Sequence, residues 1–371
     1  MMSVYSNIVV SHMSTFVVTA EKLTIFPHPD AERLELAAVG GYRAVVLKDQ
    51  YVSGDFAVYI PEQGLLPPEL IDELGLGDKL AGSKHNRVKT VRLCGELSQG
   101  IVCSPKVLAD EDMVAAERDR TDFAERLGIT KWEPEIPAHM QGQLIPAMTL
   151  VPWIEIENIK RYPTMFEPGE PVLGSEKIHG TATCISIDVI NDAFMVASKG
   201  FSNKRLSLVE DEANLYWRAV RVHDIESKMR AIAGRLGVTR FALFGETYGA
   251  GIQDLTYGVA SRNKPGFAVF DAWAEMPGEA GRWLDQAELR NLTNEFGVHM
   301  VPTLYEGPYD YVSICAAAEG QTIEGAGANI REGVVVRPLH ERISPLTGGR
   351  TIAKFVSPAY LLRKGEATEF E

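Results

Sequence analysis

The chain has 371 residues, 45% hydrophobic and 23% charged, with a formal net charge of −13. That composition is globular rather than disordered, and the length suffices for two domains. The excess of acid excludes a bulk electrostatic binder of nucleic acid, so any such partner needs a local basic face.

Other classes fall away as quickly. No apolar run reaches the ~18 residues of a membrane span, and the first residues lack the basic-then-apolar order of a secretion signal. Cys94, Cys103, Cys184 and Cys315 form no CxxC pair, and the eight histidines form no HExxH. A zinc site and a disulfide framework are therefore not expected. The expectation is a reduced, intracellular (cytoplasmic) protein with no membrane contact and no obligate protein partner.

In chain order, residues 14–108 read as short strands: "TFVVTAEKLTIF", "LELAAVGGYRAVVLK", "DFAVYIP", "HNRVKTVRL" and "QGIVCSP". Gly, Pro and Asp break these β-branched runs, as in a small antiparallel barrel of the oligonucleotide-binding (OB) type. "PPELIDELGLGD" predicts a short helix between two strands. Residues 109–150, first acidic and helical and then proline-bearing, read as a connection. A second domain of antiparallel sheets and helices, 151–371, follows, which makes the chain α+β. In it "ATCISIDVI" and "AFMVASK" alternate around "INDA", the pattern of a hairpin. Leu215, Ala219, Val222, Ile225, Met229, Ile232 and Leu236 recur every three or four residues, which predicts one amphipathic helix over 210–236. "RFALFGE", "GFAVFDAW", "EGVVVRP" and "TIAKFV" predict strands, and a second helix is expected over 284–296.

Lys177 lies in "SEKIHGTA". Alone, it reads as a surface lysine before a turn. Its company is "SKG" at 198–200, "FGETYG" at 244–249, "FAVFDAW" at 267–273, "REGVVVRP" at 331–338 and "AKFVS" at 353–357. That ordered series resembles the covalent nucleotidyltransferases, the superfamily of polynucleotide ligases and mRNA capping enzymes. "EKIHGT" and "FGETYG" are closest to RNA ligases. The N-terminal "HPDAERLELAAVGGYRAVV", "GDFAVYIPE" and "VKTVRLCGELSQGIV" resemble the barrel that precedes the catalytic domain in the fifth RNA ligase family. DNA ligases and capping enzymes carry their OB domain after the last motif instead.

The resemblance implies an ATP-dependent RNA ligase. Lys177 would attack the α-phosphate of ATP, with Mg²⁺ or Mn²⁺ present, and pass the AMP to a 5′-phosphate. A 3′-hydroxyl would then seal a nick in a duplex whose 3′-OH end is RNA. A lysine attacks only as the neutral amine, and neighbouring cations such as Lys354 and Lys199 favour that form. Glu176, at the head of the first motif, would join the nucleotide site. Gly180 would let the backbone approach a phosphate. His179 stands where DNA ligases have aspartate, as in phage-type RNA ligases; a hydrogen-bonded structural histidine is the other reading. Glu246 would hold the ribose hydroxyls. Phe267 would stack on adenine, against the alternative of a core phenylalanine, which is strong for Phe270. Glu332 would place the metal, through its waters, and Lys354 would stabilise charge on the α-phosphate.

Two features depart from the pattern. The last motif has Lys354-Phe355-Val356 where relatives show Lys-x-Lys, and Lys364 is a remote substitute. At "SKG", Lys199 keeps a charge but lacks the arginine fork. The alternatives that remain are a capping-type guanylyltransferase and a non-catalytic RNA-binding protein on a decayed ligase fold. In the barrel, Lys84, Arg87 and Lys89 are candidate nucleic-acid contacts; a solvated strand edge explains them equally well.

Overall fold

The computed structural model describes residues 16–133 and 143–363. The chain divides into two compact units, Met1–Glu133 and Pro134–Glu371.

In the first unit, five antiparallel strands form a nearly closed OB-like barrel. Their order is Tyr42–Leu47, Leu34–Val39, Thr19–Pro27, Phe56–Ile60 and Ile101–Cys103. Strict alternation drives the folding: along Tyr42–Leu47, Tyr42, Ala44 and Val46 are buried while Arg43 and Leu47 face out. Tyr42, Val46 and Tyr59 pack with Leu23 and Val39 into one core. In "SQG", Gly100 has φ +76, and a Cβ there would lie 2.5 Å from the Tyr59 ring. Only glycine closes the barrel at that point.

The "PPELIDELGLGD" helix forms over Pro68–Glu73. "HNRVKTVRL" becomes a strand only at Val91–Leu93, paired with Glu96–Ser98; the residues before it run irregularly, with bridges from Arg87 to Leu65 and Ala81. Residues 109–133 differ from the expected connection. They hold the helix Met113–Arg118, capped by Asp112, and Ala116, Phe123, Leu127 and Ile129 pack onto Val18, Val58 and Ile60 of the barrel. Their few apolar side chains are scattered through an acidic run, and it is those side chains that attach the segment to the barrel unit. Residues 134–142, also assigned to the connection, lie outside the described residues.

Two five-stranded sheets build the second unit. One runs in the order Glu157–Asn158, Ala353–Val356, Gly333–Pro338, Pro171–Lys177, Thr303–Pro308; the other runs Ala193–Ser198, Thr181–Asp188, Arg240–Tyr248, Gly266–Glu275, Arg282–Trp283. All pairs are antiparallel except Glu157–Asn158 with Ala353–Val356. The chain leaves the first sheet at Lys177 and enters the second at Thr181, so residues 178–180 are the crossing.

The helix expected over 210–236 is two helices, Leu215–Val222 and Ile225–Leu236. Asp224 interrupts them with φ 51, and the His223 ring is held 2.8 Å from the Pro265 carbonyl oxygen. Both helices, with Gln286–Glu295, cover one face of the second sheet. The helix Tyr311–Ala318, unforeseen from the sequence, covers one face of the first sheet through Ile314 and Ala318. No helix among the described residues is long and apolar enough to cross a membrane.

Candidate active site

Pairing places Lys177 opposite Gly333, Ser175 opposite Val335, and Val335 opposite Lys354. Paired residues share a face, and residues two apart on a strand share it too. Lys177 and Lys354 therefore stand on one face of the first sheet. Glu332, just before its strand, is fully buried, and its Oε1 is ion-paired with the Lys177 amine. Its Oε2 has no hydrogen-bond partner among the described residues and lies 3.9 Å from His179 Nδ1.

Glu246 arrives from the second sheet, where it pairs with Ala182 next to the crossing. Desolvation is the largest effect on its carboxyl, followed by the Lys177 charge opposing it and Glu332 reinforcing it; the group is pushed up to about 8. The Gly180 N–H donates to Glu246. Lys177, Glu246 and Glu332 thus form one electrostatic cluster, built from both sheets at the point where the chain crosses between them. Lys199 also acts on Glu246, while its own amine bonds Glu155 Oε2 at 2.9 Å.

Gly180 is required by the fold itself. A Cβ there would press on the Thr247 carbonyl and lie 2.9 Å from Glu246 Cγ. The space beside Gly180 is filled by the neighbouring strand of the protein itself.

Two expected nucleotide contacts are displaced. Glu176 alternates with Lys177 and so faces the other way. It is buried, and its Oε2 accepts the backbone N–H groups of Ile323 and Glu324 at 2.8 and 3.0 Å. Its carboxyl is raised, mainly by desolvation. Phe267 pairs with Thr247, whereas Glu246 pairs with Ala268, so Phe267 and Glu246 point to opposite faces. Phe267 is 2% exposed and packs in the helix-covered core, against Gly245 and near His223. In the barrel unit, the Arg87 guanidinium lies 4.2 Å over the Trp132 ring and is half-buried, while Lys84 is exposed and Lys89 half-buried. Lys364 lies outside the described residues.

The RNA ligase family is matched over residues 170–356, just over half of the chain, and an OB-fold domain family over residues 17–105. The chain belongs to the RNA ligase family. It is an ATP-dependent RNA ligase, an enzyme that forms phosphodiester bonds. No curated protein matches it. Among solved structures it is similar to Naegleria gruberi RNA ligase with PPi. That match has 24% identity and TM-score 0.69, covering 93% of this chain and 98% of that one. Variants of the same ligase with ATP and Mn, and with AMP and Mn, each match at 23% identity and TM-score 0.71 over 93% and 98% of the two chains. At that identity the likeness concerns the fold.

In this RNA ligase the structure adds side chains that no motif announced. His179, 2% exposed, has Nε2 2.6 Å from Asp254 Oδ1 and Nδ1 2.9 Å from the Tyr360 hydroxyl. Its backbone N–H donates to the Tyr257 hydroxyl at 2.6 Å. Both ring nitrogens and the backbone N–H of His179 are therefore engaged within the fold. Asp254, Tyr257 and Tyr360 carry no sequence signal, because each is identified only by what it meets in the fold.

Proposed function

We propose that the chain seals RNA through a lysyl-AMP intermediate. The observation that carries this is the convergence of Lys177, Glu246 and Glu332 at the crossing, with Lys354 on the face of Lys177. The Lys177 amine attacks the α-phosphate of ATP and pyrophosphate leaves. The AMP passes to a 5′-phosphate end. A 3′-hydroxyl of RNA then attacks that activated phosphate and AMP departs. The substrate is a nicked duplex. Positioning and charge stabilisation supply most of the rate in such transfers.

The residues assign themselves to parts. Glu246 faces the ribose, where a carboxylate accepts hydroxyl donors, and Lys354 with Lys199 stabilises charge on the phosphates. Gly180 and His179 hold the turn after the nucleophile. The side chains of Glu176 and Phe267 support the two sheets.

A divalent cation fits one place. The buried, unpartnered Oε2 of Glu332 is a hard oxygen donor, and among the described residues no group of three or more His, Cys, Asp or Glu is arranged to hold an ion directly. Glu332 would hold Mg²⁺ or Mn²⁺ through water, and the neighbours that bind Mn support this. Bound there, the cation supplies positive charge against the phosphates. Glu332 turned toward a cation also loosens its grip on the Lys177 amine.

The barrel unit is proposed to grip the nucleic acid. Lys84 and Lys89 supply phosphate contacts, and the 151–371 domain carries the chemistry. The test is incubation with radiolabelled ATP or GTP plus Mg²⁺ or Mn²⁺, followed by denaturing electrophoresis. ATP should label the chain, GTP should not, and Lys177→Ala should abolish labelling. A labelled Lys177→Ala protein removes the reading, and labelling by GTP alone replaces it with a guanylyltransferase.

A further inference from the structure

Residues 178–180 sit between strands and belong to neither ladder. The direction of the Lys177 amine therefore depends on what holds this turn. Four side chains close a ring around it. His179 Nε2 is 2.6 Å from Asp254 Oδ1. Asp254 takes the Arg363 fork through both carboxylate oxygens, at 3.0 to 3.3 Å. The Arg363 guanidinium carbon lies 3.5 Å over the Tyr360 ring. The Tyr360 hydroxyl returns to His179 Nδ1 at 2.9 Å.

Tyr257 adds a hold on the backbone, since its hydroxyl accepts the His179 N–H. Tyr257 itself has φ 51, a conformation that a bulky residue keeps only where its surroundings impose it. Burial acts to raise the Asp254 carboxyl, but the Arg363 guanidinium and His179 outweigh it and hold the group below the usual carboxylate range.

We propose that this ring is a clasp. Asp254, Tyr360 and Arg363 are positioning residues that act through His179 and set the line of approach of the Lys177 amine, without touching the nucleotide. The proposal rests on Lys177 being the nucleophile. Three observations favour positioning over a general packing role. Both imidazole nitrogens and the backbone N–H of one residue are engaged at once, which fixes ring and chain together. That residue lies two positions from the reacting amine. The partners come from two remote stretches, up to 181 residues from His179, so the ring gathers the loop after Tyr248 and the segment after Val356 onto the turn. Misplacement of a reacting group by ~1 Å can cost about 100-fold in rate.

The experiment is single-turnover labelling of the full chain by radiolabelled ATP over a range of ATP concentrations, with thermal melting alongside. The variants are Tyr360→Phe, Asp254→Asn and their double, Arg363→Ala and Arg363→Lys, with Lys177→Ala as control. The Asp254 side chain is 53% exposed, so Asp254→Asn removes a charge without opening a cavity. Maximal rates should fall about tenfold or more, while the half-saturating ATP concentration moves less than about threefold, the signature of lost transition-state geometry. The double should be no worse than the weaker single, because both break one ring. Arg363→Lys should recover part of what Arg363→Ala loses. Wild-type maximal rates in Tyr360→Phe and Asp254→Asn, with Lys177→Ala unlabelled, overturn the clasp and leave the nucleophile standing. Losses that multiply in the double, or that track melting temperature alone, also overturn it. A labelled Lys177→Ala overturns both.

Discussion

Replacing Gly180 by alanine tests the geometry of the crossing most directly. The added methyl would meet Glu246 Cγ at 2.9 Å and the Thr247 carbonyl carbon at 3.1 Å, with the carbonyl oxygen closer still. Ordinary contact begins at 3.4 Å. Strand Arg240–Tyr248 must therefore retreat by at least about 0.5 Å, the margin within which a catalytic constellation has to be held. The retreat cannot be absorbed by a flexible side chain, because most of the clash is with backbone. It also pulls on the Gly180 N–H that Glu246 accepts, and on the Thr183–Thr247 hydroxyl bond of 2.7 Å one step along.

Overpacking of this kind costs about 1–3 kcal/mol. For a unit of this size that lowers the melting temperature by roughly 2–4 °C per kcal/mol. The effect on chemistry should be larger. Glu246 and Lys177 come from different sheets, so parting the sheets parts them, and a fall in adenylylation of about 10–100-fold is expected on the scale of misplacement. Labelling rate and thermal melting measured on the same preparation decide it. A Gly180→Ala protein that melts and labels like the wild type would show that the crossing tolerates a methyl, and the account of this glycine would be wrong.

Other perturbations separate roles the structure assigns. Phe267→Ala should destabilise by about 3–5 kcal/mol and Phe267→Leu by much less, with half-saturating ATP unchanged in the leucine variant; a raised ATP requirement at unchanged melting temperature would restore stacking on adenine. Glu246, held up at about 8 against an ordinary 4.5, binds a proton in the folded state that the unfolded chain has released. Folding stability should therefore fall as pH rises from about 4.5 to about 8 and level off above it, and Glu246→Gln should flatten that slope; melts in metal-free buffer at several pH values showing equal slopes would contradict the raised carboxyl. In the barrel, Lys84→Ala should shrink the salt slope of nicked-duplex binding by about one without altering melting. Arg87→Ala should instead loosen the barrel, by about 0.5–1 kcal/mol for the lost stack on Trp132; a melting temperature unchanged in Arg87→Ala would free Arg87 for the nucleic acid.

The motif-bearing strands were legible because each joins an apolar run to a chemically distinctive residue. The hairpin around "INDA" appears as Thr181–Asp188 and Ala193–Ser198. What the sequence hid depends on pairing. The opposite facing of Glu176 and Lys177 follows from alternation once both lie on one strand, and that much was available in advance. The facing of Phe267 was not, because it depends on the partner Thr247 and on a register shift at Phe244/Gly245. The break at Asp224 escaped the helical periodicity because a left-handed residue leaves the apolar spacing on either side intact. Arg87 looked like part of a basic run, and only the fold brings Trp132, 45 positions on, beneath it.

The missing lysine of the last motif follows from the same pairing logic. Lys177, Gly333 and Val356 stand in one row across three strands, and Ser175, Val335 and Lys354 in the next. A second lysine two residues after Lys354 would occupy position 356, on the same face and in the row of Lys177. Val356 is fully buried there. A charged ammonium at such a site needs a partner or a cost in desolvation. Glu332, whose backbone carbonyl accepts the Ser357 N–H, is already ion-paired with Lys177. With valine at 356, the cations besides Lys177 come from separate sheets, Lys354 on the first and Lys199 beside the second. The departure from Lys-x-Lys thus keeps a charge out of a buried position while leaving positive charge on both sides of the crossing, the arrangement that favours a neutral Lys177 amine.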